Sequence, residues 1–335
     1  MNEMNNVYTY SPLDRVIWDT SSIEAIQNEI KRLNVKKVFI VSSSTLSKKT
    51  DEINNIINAL DKKFVGLFDN CIAHSPIENV IECAKEVQKN SPDIIITIGG
   101  GTPIDTVKVV QLCYSLGIKS LSELKKISNK HQKIKSKIRQ IAIPTTLSGG
   151  EYSTIGGAMD TKKQLKERYT GDDICPQVVI LDPSITLHTP DWLWLSTAIR
   201  SVDHAVEGLC SNSTNPLIPP MALNSLQLFA NSLRSTYKNR DDIVSRSLSQ
   251  KAVWMIAKNL GNTPMGASHG IGYLLGSIGS VPHGYTSCVM LPAVLKWNES
   301  YNKDKQKWIA NALGRPNLSA SEAVGELISD LGLPT

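Results

Sequence analysis

The stretch "RSVDHAVEGLC" (200–210) places ionisable side chains at helical spacing. Arg200 and His204 are four residues apart and Glu207 follows three residues later, so the three side chains share one face of a helix. A carboxylate and a histidine at this spacing could hold a metal ion, but the guanidinium of Arg200 repels cations. The stretch therefore indicates either a metal site that exchanged its metal for arginine or a helix that never held one.

A triple glycine is the second feature whose residues could take part in the chemistry of the protein. In "IITIGGGTPIDTVKV" (95–109) an apolar strand ends at Ile98, three glycines follow, and a helix is predicted to begin at Thr102–Pro103. Glycines at a strand end allow close approach of a phosphate to the helix N-terminus, so the segment predicts a pyrophosphate site. A tight strand-to-helix turn is the alternative. Thr102 at the N-cap, Pro103 at the first helical position and Asp105 at the third would form a capping-box-like start.

Four segments together resemble one known family. They are "GGGTPIDTVK", "IPTTLSGGEYSTIGGAMD" (143–160), "HAVEG" (204–208) and "HGIGYLLGSIGSVPHG" (269–284). In this order they are similar to motifs of the iron-containing alcohol dehydrogenases and maleylacetate reductases. The resemblance implies a dehydroquinate synthase-like fold, in which an α/β Rossmann-like domain with a parallel sheet binds NAD(P) and an all-α domain holds the catalytic metal when one is present.

The resemblance also implies a set of cofactor-binding residues. An acidic residue often follows the early strand in this family, where this chain has Ser43, so both NADH and NADPH stay candidates. Hydroxyl groups just past a strand end can donate hydrogen bonds to a ribose or a carboxamide. The residues expected to bind NAD(P)H are Ser43, Gly99, Gly100, Gly101, Thr102, Asp105, Thr145, Thr146 and Ser148.

The family's metal ligands are one aspartate and three histidines. The aspartate position is Arg200 here, and the histidines are His204, His269 and His283. Three imidazoles without a carboxylate neutralise a divalent ion poorly, and maleylacetate reductases likewise lack the aspartate and work without metal. We therefore expect no metal, and iron or zinc at the three histidines if one is present. The predicted catalytic residues are Arg200, His204, His269, Tyr273 and His283.

Purely structural roles for two of these residues, Arg200 and Tyr273, stay open as alternatives. Arg200 could pair with Asp203 or Glu207 at the surface of a helix, since arginine is usually solvated. Tyr273 stands where the alcohol dehydrogenases often carry a further histidine implicated in proton relay, which makes it a candidate proton donor. Its surroundings of leucine and glycine are equally typical of simple packing.

Hydrophobic periodicity predicts how the chain is organised. Strand and helix patterns alternate through the first half, which indicates a parallel sheet with helices on both faces. Strands are predicted at "KKVFIVS", "KFVGLFD", "DIIITIG", "QIAIPTT" and "QVVILD". Beyond "LDPSITLHTP" (181–190) the patterns are helical, so the predicted domains are residues 1–183 (NAD(P)-binding) and 184–335 (helical and catalytic). The resemblance implies further helices after "LISDLGLPT" (327–335), so the helical domain is expected to lack the family's last helices.

Composition narrows the class of protein. The 335 residues carry a net charge of +5 and are 41% hydrophobic, which is ordinary for a globular protein. No apolar run reaches the roughly 18–20 residues of a membrane span, no secretory signal is visible, and a cytoplasmic location is expected. The basic stretch "KKISNKHQKIKSKIR" (125–139) is interpreted as a solvated loop rather than a nucleic-acid site. The six cysteines form no CxxC pair and are expected to be reduced.

The resulting hypothesis is an NAD(P)H-dependent oxidoreductase that reduces a carbonyl or conjugated, keto acid-like substrate without a metal. One alternative is a metal-dependent alcohol dehydrogenase. Another is a non-redox cyclase or an inactive binding protein on the same scaffold. The expected partner is a small molecule, with a carboxylate as a candidate group and a homodimer as a candidate assembly; no nucleic acid or membrane partner is expected.

Overall fold

The chain folds into two compact units. The computed structural model describes residues 7–279 and 281–335, apart from the side chains of Ser277 and His283. The sheet unit comprises residues 12–146 and 150–189. The helical unit comprises residues 147–149 and 190–335 together with the described residues up to 11.

Nine strands lie in the sheet unit, in two sheets. They are β1 (Arg15–Trp18), β2 (Val38–Ser42), β3 (Phe64–Phe68), β4 (Ile94–Gly99), β5 (His131–Gln132), β6 (Arg139–Pro144), β7 (Ile155–Asp160), β8 (Leu165–Gly171) and β9 (Val178–Leu181). The large sheet has the order β1-β9-β6-β4-β2-β3, and each neighbouring pair in it is parallel. The predicted parallel α/β architecture is thereby confirmed.

Helices cover the large sheet because its central strands are apolar on both faces. In β2, Val38 and Ile40 join one hydrophobic cluster, whereas Phe39 and Val41 join another. The helices of this unit are α1 (Ser22–Arg32), α2 (Ser44–Lys49), α3 (Glu52–Leu60), α4 (Ile77–Asn90), α5 (Gly101–Leu116) and α6 (Leu121–Lys126). Helix α5 is buried along most of its length, as a helix between two layers must be.

The start of α5 differs from the prediction. Its N-cap is Gly100 and its first residue is Gly101, so Thr102 is not the N-cap and no side chain caps the helix. Pro103 therefore occupies the third helical position. It is tolerated there because the first four N–H groups of a helix have no acceptor within the helix. The glycines let helical backbone geometry begin two residues earlier than the side chains suggested.

Three parts of the sheet unit were not predicted correctly. Strands β7 and β8 form an antiparallel hairpin that joins β5 in a second, three-stranded sheet, and the short edge strand β1 was not predicted either. The basic stretch 125–139 is only partly loop, since it contains the end of α6 and β5, and Lys125 forms an ion pair with buried Asp160 at 2.7 Å.

The rest of the chain is helical, as predicted. Its helices are α7 (Asp191–Cys210), α8 (Ile218–Lys238), α9 (Ile243–Ala257), α10 (Ala267–Ile278), α11 (His283–Trp297), α12 (Glu299–Ala312) and α13 (Ala320–Asp330). Helix α7 is the centre of this unit, because its side chains from Trp194 to Leu209 are buried without interruption. Within the described residues, no helix is long and apolar enough to cross a membrane.

Candidate functional site

The large sheet has one topological switch point, between β2 and β4. From β2 the chain moves outward to β3, and it then returns to β4 on the other side of β2 and continues through β6 and β9. In parallel sheets the carboxyl ends of the two strands at such a point flank a crevice that binds ligands. Ser43 follows β2 and the glycine turn Gly99–Gly101 follows β4, so both predicted segments lie at this point.

The glycine turn depends on the absence of side chains. Gly99 has a φ of +148°, a conformation that other residues rarely adopt. A Cβ at Gly100 would lie 2.8 Å from Cγ2 of Thr146, so the turn has no room for one. With no side-chain cap, the first backbone N–H groups of α5 are left for another acceptor, and an anion is favoured at a helix N-terminus. These features fit the pyrophosphate of a dinucleotide.

The hydroxyl residues after β6 lie against this turn. Thr145 donates its backbone N–H to the carbonyl of Gly99 at 3.0 Å. The methyl group of Thr146 lies next to Gly100, 2.8 Å from the position that a Cβ would take there. Thr102 lies in the first turn of α5, where its carbonyl accepts a hydrogen bond from Ser75 Oγ at 3.1 Å. Ser43 caps α2 through its Oγ, which accepts from the N–H of Leu46. The last residue of the predicted set, Ser148, belongs to the helical unit.

Asp105 faces a group of lysines instead of capping α5. Its carboxylate accepts a hydrogen bond from the N–H of Gly157 at 3.2 Å and lies 3.8 Å and 3.7 Å from the ammonium groups of Lys108 and Lys166. Lys108 is fully buried and donates to the carbonyls of Gly150 and Ile155 and to a serine hydroxyl. It thereby fixes the segment that follows the hydroxyl residues, a role that the sequence did not reveal.

The segment 150–155, which Lys108 binds, also contains the buried carboxyl group of Glu151. Burial raises the pKa of Glu151 to about 7, which the positive charge of Lys108 only partly opposes. Its Oε2 has no hydrogen-bond partner within the described ranges. A carboxyl group in this state binds its proton far more tightly than one in water.

The second predicted set of residues lies on α7 and α10 in the helical unit. Arg200 is 8% exposed, so the alternative in which it forms a solvated ion pair at the helix surface is wrong. Its Nη1 donates to Ser287 Oγ on α11 at 3.1 Å. Burial lowers the pKa of Arg200, although the charges of Asp203 and Glu207 oppose this shift, and arginine stays protonated in proteins.

The buried carboxylate of Asp203 connects three helices. Its Oδ2 accepts hydrogen bonds from Ser268 Oγ on α10 at 2.8 Å and from Ser287 Oγ on α11 at 2.7 Å, and it lies 3.3 Å from Nδ1 of His269. Burial alone would raise the pKa of Asp203, but His269, Arg200 and Ser287 together hold it below its usual value. Asp203 is therefore ionised.

The carboxylate of Glu207 anchors the start of α10. It accepts hydrogen bonds from the backbone N–H groups of Gly266 and Ser268 at 2.8 Å and 2.7 Å, which supplies acceptors at a helix end that would otherwise lack them. It also accepts from Nδ1 of His269 at 2.7 Å. Burial lowers the pKa of His269, but Asp203 and Glu207 raise it more, so the net pKa lies above its usual value.

Asp203, Glu207 and His269 are also the residues that the geometry offers to a metal ion. Their ligand atoms lie within 4.8 Å of one another. This set differs from the three histidines named from the sequence, of which it contains only His269. Both oxygens of Glu207 and one oxygen of Asp203 already accept hydrogen bonds, and Nδ1 of His269 is directed at Glu207. An ion would have to displace these bonds beside the guanidinium of Arg200.

The other predicted catalytic residues adjoin this cluster or cannot be placed. The ring of His204 stacks on that of His269, with centroids 4.7 Å apart. Tyr273 lies one turn after His269 on α10 and is half-buried. His283 begins α11, and its side chain lies outside the described residues. The sequence analysis missed the roles of Ser268 and Ser287. It took Asp203 only as a surface partner of Arg200. It took Glu207 either as such a partner or as a carboxylate that could hold a metal ion with His204.

Comparisons with known proteins match nearly the whole chain. The family model of the iron-containing alcohol dehydrogenases matches residues 14–183, and that of the C-terminal part of the same family matches residues 195–334. The dehydrogenase ALT3 of Alternaria alternata is 33% identical over 89% of this chain and 87% of its own length. A maleylacetate reductase of a Pseudomonas species is 26% identical over 98% of this chain and 85% of its own length.

A solved structure shares the fold. The sulfoacetaldehyde reductase of Bifidobacterium kashiwanohense, crystallised in complex with NAD+, superimposes with a TM-score of 0.88 at 20% identity. The match covers 98% of this chain and 87% of the other.

Proposed function

The chain belongs to the iron-containing alcohol dehydrogenase family of oxidoreductases, and we propose that it is an NAD(P)H-dependent reductase that works without a metal ion. Its substrate would be a carbonyl compound or a conjugated keto acid. The observation that carries the proposal is the buried Arg200, hydrogen-bonded to Ser287 at the helix position where the family resemblance leads one to expect a metal-ligating aspartate.

The glycine turn supports the cofactor part of the proposal. The N-terminus of α5, which has no side-chain cap, would bind the pyrophosphate, and the absence of side chains at the glycine turn would let the backbone approach it closely. When bound, NAD(P)H would supply the hydride. The other proposed cofactor contacts are Ser43, Gly99, Gly101, Thr102, Asp105, Thr145, Thr146 and Ser148.

The hydrogen-bonding pattern supports the metal-free part. The oxygen atoms of Glu207 accept bonds from two backbone N–H groups and from His269, and these bonds stabilise the start of α10. A divalent ion at this place would lose its ligands to a structural network and would face the charge of Arg200. This donor set fits protons better than a metal, so we assign no step to an ion.

The buried cations would act on the electrophile in place of a Lewis acid. The Arg200 guanidinium would donate hydrogen bonds to a negative group, either a substrate carboxylate or the oxygen on which charge develops during reduction. His269 has a raised pKa and a buried Nε2 with no hydrogen-bond partner in the described part of the chain, so it can offer a further N–H. His204 and His283 are proposed as additional donors, and Tyr273 as the proton donor.

Metal analysis and turnover assays test this proposal together. Protein purified without chelators should contain far less than one transition metal ion per chain, and EDTA should leave the oxidation of NADH or NADPH unchanged with a panel of oxo acids and aldehydes. Near-stoichiometric iron or zinc and a loss of activity in EDTA would instead support a metal-dependent alcohol dehydrogenase. Absence of NAD(P)H oxidation across the panel would favour the non-redox alternative.

Arg200 variants test the residue that carries the proposal. Arg200→Ala should reduce kcat/KM by about thirty-fold to about five-thousand-fold, which corresponds to about 2–5 kcal/mol for loss of one partner of a desolvated charge pair. Arg200→Lys should also lose much of the activity, because a lysine keeps the charge but not the planar fork. Near-full activity of Arg200→Ala would mean that Arg200 has no part in the reaction.

A further inference from the structure

We infer that Asp203 and Ser287 are positioning residues that orient Arg200 as a receptor for a carboxylate on the substrate. This inference rests on the proposed function and names its substrate class: carbonyl compounds that carry a carboxylate. It concerns a hydroxyl group that links a guanidinium to a carboxylate across three helices, α7, α10 and α11, of the helical unit.

The direction of the Ser287 hydroxyl is fixed by its two partners. A serine hydroxyl has one proton to donate and lone pairs to accept with. The proton goes to Asp203 Oδ2 at 2.7 Å, because a carboxylate can only accept, and a lone pair therefore faces Nη1 of Arg200 at 3.1 Å. Asp203 thus sets the hydroxyl, and the hydroxyl sets the guanidinium.

The carboxylate of Asp203 is itself held in place. Ser268 donates to the same Oδ2 at 2.8 Å, and both serines are fully buried. Buried hydrogen bonds of this kind polarise one another and leave little rotational freedom. The hydrogen bond from Nη1 to this network restricts the positions that the guanidinium can adopt.

Helix α10 passes close to the guanidinium at a glycine. A Cβ at Gly272 on α10 would lie 3.8 Å from Nη1 of Arg200 and would crowd Oγ1 of Thr286 on α11 at 3.0 Å, so the glycine allows α10 and α11 to pack closely beside Arg200. The bond to Ser287 uses one of the five N–H donors of an arginine. The remaining donors of a fixed planar fork match the two oxygens of a carboxylate, which is how arginine selects this group over a neutral carbonyl.

The two serines provide a matched pair of variants. Both hydroxyls donate to the same oxygen of Asp203 and both are fully buried, but only Ser287 is hydrogen-bonded to Arg200. We would measure kcat and KM with NADH and NADPH for a series of oxo carboxylic acids of increasing chain length and for their methyl esters, which keep the ketone and lose the charge. Ser287→Ala should lower the acid-to-ester ratio of kcat/KM about tenfold, mainly through KM of the acid. Ser268→Ala loosens Asp203 but leaves the bond between Ser287 and Arg200 in place, so it should change the ratio much less than Ser287→Ala does.

The outcomes separate this inference from the proposed function. If Arg200→Ala loses the preference for the acid and Ser287→Ala keeps it, Arg200 binds the carboxylate without the network, and the inference is wrong. An equal change in the Ser268→Ala and Ser287→Ala ratios would also overturn it, because the effect would then come from Asp203 in general. If the wild type does not prefer acids to esters, both this inference and the carboxylate role of Arg200 fail. Should Ser287→Ala fold poorly, Ser287→Cys keeps the volume with a weaker acceptor and carries the same prediction.

Discussion

Replacement of Glu207 by glutamine should destabilise the helical unit strongly, although the side chains have the same shape. The Glu207 carboxylate accepts three hydrogen bonds with its two oxygens, from the N–H groups of Gly266 and Ser268 and from Nδ1 of His269. In Glu207→Gln one oxygen becomes an NH₂ group, which cannot accept. At least one backbone N–H at the start of α10 therefore loses its partner.

The size of the effect follows from these bonds. An unsatisfied buried donor costs about 1–3 kcal/mol, and a hydrogen bond to a charged group contributes about 1.5–3 kcal/mol. Removal of one partner from a buried charge cluster costs about 3–5 kcal/mol in comparable cases. We therefore expect the free energy of unfolding of the Glu207→Gln protein to fall by about 3–5 kcal/mol.

Urea unfolding followed by far-ultraviolet circular dichroism measures this change, and amide hydrogen exchange at Ser268 reports the local effect on α10. The control is Glu326→Gln on α13, where the carboxylate binds Arg315 in a half-exposed ion pair at 2.5 Å. Such pairs contribute about 0–1 kcal/mol. The reasoning is refuted if Glu207→Gln stays within about 1 kcal/mol of the wild type, because the carboxylate would then not support α10.

Two further predictions concern the sheet unit. Gly100→Ala should weaken NADH binding in a fluorescence titration, because the new Cβ would lie 2.8 Å from Thr146 Cγ2. The control is Gly325→Ala, whose Cβ contacts nothing within 4 Å and which should bind NADH like the wild type. Unchanged binding by Gly100→Ala would mean that the glycine turn is not part of the cofactor site. The raised pKa of Glu151 (about 7, against an ordinary 4.5) means that its protonated form stabilises the fold below about pH 4.5 and that this contribution is lost as the pH rises through about 7. This contribution to the free energy of unfolding amounts to about 3 kcal/mol. Between pH 5 and pH 8, the free energy of urea unfolding should therefore depend less on pH for Glu151→Gln than for the wild type. The same pH dependence in both proteins would contradict the raised pKa of Glu151.

The sequence predicted the large sheet because its central strands are short, continuous apolar runs rich in β-branched residues, which is typical of strands buried on both faces. The hairpin β7–β8 escaped prediction for the opposite reason. "LKERYTG" contains three consecutive charged residues, and buried Glu167 is bound by Lys163 at 2.8 Å and by the hydroxyl of Tyr169 at 3.3 Å. A hydrophobicity pattern cannot anticipate a buried ion pair.

The backbone turn of the candidate site was predictable from the sequence. Three glycines directly after an apolar strand mark a tight strand-to-helix turn, which the structure has at the start of α5, and the binding of a cofactor there stays a prediction. The network around Arg200 was not located, because Ser268 and Ser287 are separated from it by more than sixty residues and serine is unremarkable in a helix. The sequence does contain one indication of this network. The spacing of Arg200, Asp203 and Glu207 places two carboxylates and the guanidinium on the same face of one helix.

The stripe formed by positions 200, 203 and 207 of α7 places a buried guanidinium and two buried carboxyl side chains on one face of a single helix. Removal of one partner from a buried charge cluster costs several kcal/mol, which is a large part of the stability of a fold. A single substitution at any of these positions is therefore expected to cost more than a double substitution that removes the arginine and a carboxylate together.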